Sequence, residues 1–122
     1  MLLRRGAAFV VTRGDELLVR TRSEKGLLGG MTEVPSSEWL AGQDDADALK
    51  QAFVLKGATP WHRKVGVVTH VFTHFPLELV VYTARVPARA KAPEGMRWVP
   101  IATLDDEALP NVMRKVIAHA LD

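Results

Sequence analysis

The chain has 122 residues, 48% hydrophobic and 25% charged, the size and mix of one globular domain able to bury a single core. It has no cysteine, which excludes disulfides, thiolate zinc sites, iron–sulfur clusters and cysteine nucleophiles within it. A formal charge of +2 and a pI near 9.2 are compatible with a polyanionic partner but select none. No apolar run approaches the roughly 20 residues of a membrane helix. In MLLRRGAAFVV the arginines follow the leucines, the reverse of a secretory signal. A soluble, cytoplasmic protein with no membrane partner is expected.

Residues 7–12 and 16–21 are β-rich apolar stretches separated by Arg13, Gly14 and Asp15, and they predict a hairpin. Residues 24–30 follow with three glycines, a loop shaped to lead into a short strand over 31–34 that Pro35 stops. The period then changes. Residues 44–56 carry three aspartates at their start, apolar positions at Leu49, Ala52 and Phe53, and Gly57 beyond, which predicts an amphipathic helix with a glycine C-cap.

Two further strands are expected over 65–72 and 77–86, around the tip Thr73-His74-Phe75-Pro76, because Pro76 cannot donate to a ladder. Residues 88–94 read as a loop, 96–99 as a strand and 111–121 as a helix. Pro110 suits its first turn, and Val112, Met113, Val116, Ile117, Ala120 and Leu121 form its apolar stripe. Strands, a helix, more strands and a final helix give a single α+β domain over residues 1–122, without internal repeats.

Three segments, GLLGGMTEVP (26–35), HVFTHFPLEL (70–79) and RWVPIATLDDEALPNVMRKVIAHAL (97–121), resemble in sequence, order and separation the C-terminal domain of MutY-type adenine DNA glycosylases. The resemblance implies a Nudix-like α/β/α sandwich with a mixed sheet and two main helices. It also implies a role in recognising 8-oxoguanine opposite the adenine to be excised. In that family a Phe-Ser-His loop makes the contact; the matching residues here are Phe72, Thr73 and His74. Threonine keeps the serine hydroxyl but adds a methyl and stiffens χ1. The expected partners are double-stranded DNA with an adenine–8-oxoguanine mispair and, in cis, a glycosylase catalytic domain. The family's iron–sulfur cluster belongs to that other domain, so no cofactor and no metal is expected in this chain. Met1 then marks the start of an excised fragment, although an independent small protein is the competing possibility.

The resemblance to Nudix hydrolases raises metal-dependent diphosphate hydrolysis, which requires several carboxylates around divalent cations. That family places an Arg-Glu-x-x-Glu-Glu helix after a glycine pair and a glutamate. Here serines replace the glycine pair in Glu33-Val34-Pro35-Ser36-Ser37-Glu38-Trp39, and residues 49–57 read LKQAFVLKG with no acid. Asp44, Asp45 and Asp47 sit where helix starts ordinarily carry carboxylates. No catalytic residue is expected, and the fold is read as kept for binding. The alternative is a degenerate Nudix module that binds a nucleotide or a protein partner.

Other candidates are weaker. Arg20, Arg22 and Lys25 cluster around the second strand and its loop, and His62, Arg63 and Lys64 precede the recognition hairpin as candidate phosphate contacts. His70 shares a strand face with Val68 and Phe72 and reads as a satisfied, partly buried histidine. Alternation gives Phe72 a packing role at least as readily as a base contact, and His119 receives no role.

Overall fold

A computed structural model describes residues 2–122; the expectation attached to Met1 lies outside them. In chain order the elements are β1 (Arg4–Arg13), β2 (Glu16–Thr21), β3 (Thr32–Glu33), β4 (Leu40–Ala41), α1 (Asp45–Leu49), β5 (His62–Arg63), β6 (Val68–Val71), β7 (Pro76–Arg85), β8 (Met96–Pro100), a 3-10 helix (Ile101–Asp106) and α2 (Asn111–Leu121). The eight strands form one mixed sheet with the path β3-β2-β1-β7-β5. β8 joins β2, β6 joins β7, and β4 joins β1. β1 and β7 run parallel from Arg4↔Leu77 to Thr12↔Arg85, and every other pairing is antiparallel.

Alternation along β1 sends Ala8 and Val10 to one face and Ala7 and Phe9 to the other. The first face packs under α2 through Val112, Met113, Val116, Ile117 and Ala120. Each of the larger of these side chains contributes on the order of 2 kcal/mol on burial. The second face meets Ala48 of α1 and an aromatic cluster in which Phe9 lies 5.3 Å from Trp61 and 6.0 Å from Tyr82, centroid to centroid. Helices on both faces of a mixed sheet make the expected sandwich.

Several boundaries differ from expectation. α1 ends at Leu49, not at residue 56, and the chain leaves it through i→i+3 turns at Gln51 and Ala52. The extended path from there brings Phe53 edge-on to Phe9 at 6.2 Å and to Trp61 at 5.7 Å, so tertiary packing overrides a weak local helix. Asp44 caps α1 by accepting from the Asp47 amide, the role foreseen for the aspartates. The strand expected over 65–72 is broken. Gly66 takes φ +81, and the pairing with β7 slips by two residues between Arg63↔Tyr82 and Val68↔Leu79, a bulge that exposes Val65. Pro76 is the first residue of β7 and pairs with Val71, so the turn lies one residue earlier than expected. β1 starts at Arg4 because Arg4 and Arg5 pair with β4 and β7 at once. Leu121 is exposed, outside the apolar stripe. No helix among the described residues is long and apolar enough to cross a membrane.

Candidate nucleic-acid interface

The hairpin from β6 to β7 closes where the Phe72 amide donates to the Phe75 carbonyl at 2.9 Å, leaving Thr73 and His74 as exposed tip residues. The tip stands on a cluster of rings. Phe75 is buried under the Arg4 guanidinium, whose central carbon lies 4.0 Å from the ring centroid. Phe72 is half-buried, 5.1 Å from Phe75, 6.1 Å from Trp39 and 4.7 Å from His70. The Arg22 guanidinium carbon lies over the Trp39 ring, 4.7 Å from its centroid. The run Arg4–Phe75–Phe72–Trp39–Arg22 joins the tip to a cavity of about 520 Å³ lined by Arg4, Arg20, Arg22, Ser23, Ser36 and Trp39, among others. Such cation–aromatic contacts are worth on the order of 0.5–1 kcal/mol each at exposed sites, and they fix ring planes.

His70 is held from behind. Lys115 on α2 places its Nζ 3.1 Å from His70 Nδ1 and donates to the Thr69 carbonyl at 3.2 Å. Burial first, and then the Lys115 charge, keep the His70 pKa below its ordinary value, so the neutral ring is favoured. His70 is the half-buried, partnered histidine that alternation implied.

The arginines of the cavity are engaged. Glu33 is only 3% exposed; its Oε2 accepts from Arg20 Nε at 2.8 Å and its Oε1 from Arg22 Nη1 at 2.6 Å. Arg20 also donates to the Ser36 carbonyl at 3.1 Å, and Arg22 to the Leu27 carbonyl at 3.0 Å. Arg20 and Arg22, candidate DNA contacts in the sequence, are instead turned into the fixed wall of the cavity, with the Arg20↔Glu33 pairing of β2 and β3 placing both on one carboxylate. Lys25 is exposed on the loop between the lining residues Ser23 and Leu27.

His62, Arg63 and Lys64 do not sit beside the tip. His62 pairs with Thr83, seven residues along β7 from Pro76, which is about 23 Å at strand spacing. Arg63 donates to Asp45 at 2.9 Å, and Lys64 to the Asp122 carbonyl at 3.1 Å. The bulge over residues 65–67 separates this trio from the hairpin it precedes in sequence. Arg4, Trp39 and Lys115 are the site residues that sequence reading missed.

The loop after β3 is stapled by polar side chains. Ser37 is buried, accepts from the Ala7 amide at 2.8 Å and donates to the Glu38 carbonyl at 2.9 Å. Gln43 donates to the carbonyls of Arg5 and Glu38. Gly6 is required here, since a Cβ would meet Trp39 at 2.8 Å. Among the described residues no group of three or more His, Asp or Glu side chains is placed to hold a metal ion. Both oxygens of Glu33 are already committed to guanidinium donors, so the cavity presents donors and ring faces together with the exposed carboxylate of Glu38.

The chain belongs to the NUDIX domain family, whose pattern matches residues 7–119. It is similar to adenine DNA glycosylase of Homo sapiens, 27% identical over 114 residues, covering 84% of this chain and 20% of that protein. It is likewise similar to adenine DNA glycosylase of Rattus norvegicus, 33% identical over 114 residues, covering 86% of this chain and 22% of that one. The chain thus spans about a fifth of the length of these curated relatives. Among solved structures, the C-terminal domain of mouse MUTYH, crystallised in complex with human PCNA, shares the fold. Its TM-score is 0.73 at 24% identity, covering 95% of this chain and 86% of that one.

Proposed function

We propose that this chain is the lesion-reading and DNA-binding domain of an A/G-specific adenine DNA glycosylase, acting in base excision repair without catalysis of its own. The observation that carries this reading is the exposed Thr73-His74 tip on its braced aromatic base, beside a wall of fixed arginines. 8-Oxoguanine differs from guanine by an N7–H donor and an O8 acceptor. A threonine hydroxyl can accept from N7–H, and amides at the tip can donate to O8. Phe72 and Phe75 hold the tip, Arg4 and Lys25 offer charge for phosphates, and Arg20 and Arg22 shape the cavity. The catalytic domain in cis would supply adenine hydrolysis and the rest of the affinity.

With few cations free near the tip, two to four phosphate contacts give a shallow log–log salt slope, about −2 to −4. The test is a ¹⁵N NMR titration of the chain with a duplex bearing 8-oxoguanine opposite adenine, against the same duplex with guanine. The reading expects lesion-dependent shifts at Thr73, His74 and Arg4. Shifts that ignore the lesion, or that avoid the tip, would refute it.

A second reading, a degenerate Nudix module that binds a nucleotide, is favoured by the size of the 520 Å³ cavity and by Trp39 in its wall. An 8-oxoguanine nucleotide that shifts Ser23, Ser36 and Trp39 while the duplex leaves Thr73 unmoved would select it.

A further inference from the structure

At the opposite end of the sheet two loops face one another across a groove of about 370 Å³ lined by Leu55, Lys56, Arg89, Ala90 and Lys91. The walls are locked together. Gly57 holds φ +78 against Pro87, where a Cβ would lie 3.1 Å from the proline ring, and the Ala58 amide donates to the Leu55 carbonyl at 3.1 Å. The Ala90 amide donates to the Pro87 carbonyl at 2.9 Å, and Arg13 donates to the Ala90 carbonyl at 2.7 Å. Arg13 is itself fixed by Glu16 at 2.7 Å and by the Trp98 ring at 4.6 Å. The groove is therefore built and not a gap between loose loops.

Its floor and rim differ in chemistry. Leu55 and Ala90 pack on the small core of Val11, Leu18 and Val86 and present apolar surface. Lys56, Arg89 and Lys91 are exposed and form none of the ion pairs found among the described residues, and no carboxylate lines the groove.

The geometry points to a docking site for an acidic segment of a partner protein, one bulky apolar side chain seated between Leu55 and Ala90 and flanking carboxylates on Lys56, Arg89 and Lys91. Apolar floor inside a cationic rim is complementary to that alternation of anchor and acid. Duplex DNA matches it less well, because a phosphate backbone offers nothing to the apolar floor of Leu55 and Ala90. The position argues the same way. The groove lies by Thr12, Arg13 and Arg85, at the far end of β1 from Arg4, so roughly 30 Å of strand separates it from the hairpin tip. A duplex held at the tip leaves the groove free for a second macromolecule, and this site stands or falls independently of lesion reading.

The experiment uses the whole chain and three probes: a 12-residue peptide of Asp and Glu with one central Leu, the same peptide with Ser at the centre, and a 12-base-pair duplex. Binding is followed by fluorescence anisotropy and ¹⁵N NMR. The Leu peptide should saturate, shift residues 54–58 and 87–91, and leave Thr73 and His74 unmoved. The Ser peptide should bind about tenfold more weakly, and raised salt should weaken both. The triple variant Lys56→Glu, Arg89→Glu, Lys91→Glu, which alters only exposed side chains, should keep a native spectrum and lose at least tenfold in affinity for the Leu peptide. Equal binding of the Leu and Ser peptides, shifts confined to the Arg4 and Arg22 side, full affinity in the triple variant, or preferential occupation of the groove by the duplex would each overturn the assignment.

Discussion

The two ends of the sheet use cations in opposite ways. At the hairpin end Arg20 and Arg22 share the buried carboxylate of Glu33, while Arg4 and Arg22 lie over Phe75 and the Trp39 ring, so each guanidinium is oriented by a partner. At the far end Lys56, Arg89 and Lys91 rim an apolar groove with no ion-pair partner among the described residues, on loops fixed through Arg13 and Gly57. Oriented donors suit recognition of a small chemical difference, since their geometry is set before the ligand arrives. Unpaired cations suit a chain that brings its own acids, and their contribution is screened by salt.

The difference should be visible first in stability. Glu33→Ala leaves two guanidiniums facing a buried void, and because both arginines retain partial access to water the expected loss is about 2–3 kcal/mol, below the usual cost of breaking a fully buried pair. Neutralising Lys56, Arg89 and Lys91 with Gln should cost within about 0.5 kcal/mol. Urea unfolding midpoints of the two variants measure the contrast, and similar losses would show that the ends are not energetically distinct.

A smaller effect is expected from Phe72→Ala, which removes the ring between Trp39, Phe75 and His70 and should cost about 1–2 kcal/mol at this half-buried site. Its signature should be local. Amide exchange at positions 72–75 should speed up more than exchange in α2, and uniform acceleration would mean that Phe72 is ordinary core.

The smallest effect is the pH response of the brace. His70 has a folded pKa lowered by burial and then by Lys115, so the unfolded chain binds that proton more readily. Stability from the neutral ring is present above the ordinary histidine value of about 6.5 and is lost as pH falls below it. Thermal midpoints should decline from pH 7 toward pH 5, and His70→Asn should flatten the decline. A variant that follows the parent curve would remove His70 from the account.

α2 could be read from sequence because its apolar positions recur with helical spacing and Pro110 precedes them; its boundaries are those expected. The first hairpin was legible from Gly14-Asp15 between two apolar runs. The tip was placed within one residue, through Pro76. What sequence concealed depends on contacts between distant segments. Phe53 leaves a helical pattern to reach Phe9 and Trp61, and a two-residue bulge around Gly66 moves His62 and Arg63 away from the hairpin they precede. The sharing of Glu33 by Arg20 and Arg22 spans 13 and 11 residues across β2 and β3, and no local periodicity encodes it. Arg4 escaped because Arg4-Arg5-Gly6 shows no apolar alternation, although the residue sits directly over Phe75.

The most direct test of the central claim is the ratio of affinities for duplexes with 8-oxoguanine or guanine opposite adenine, measured by NMR titration of the parent chain, Thr73→Ser and Thr73→Val. One hydroxyl contact is worth on the order of 1 kcal/mol, so Thr73→Val should lower the lesion preference several-fold to about tenfold. Thr73→Ser should stay near the parent. If Thr73→Val weakens both duplexes equally, or neither, the hydroxyl does not read the lesion and Thr73 is a turn residue only.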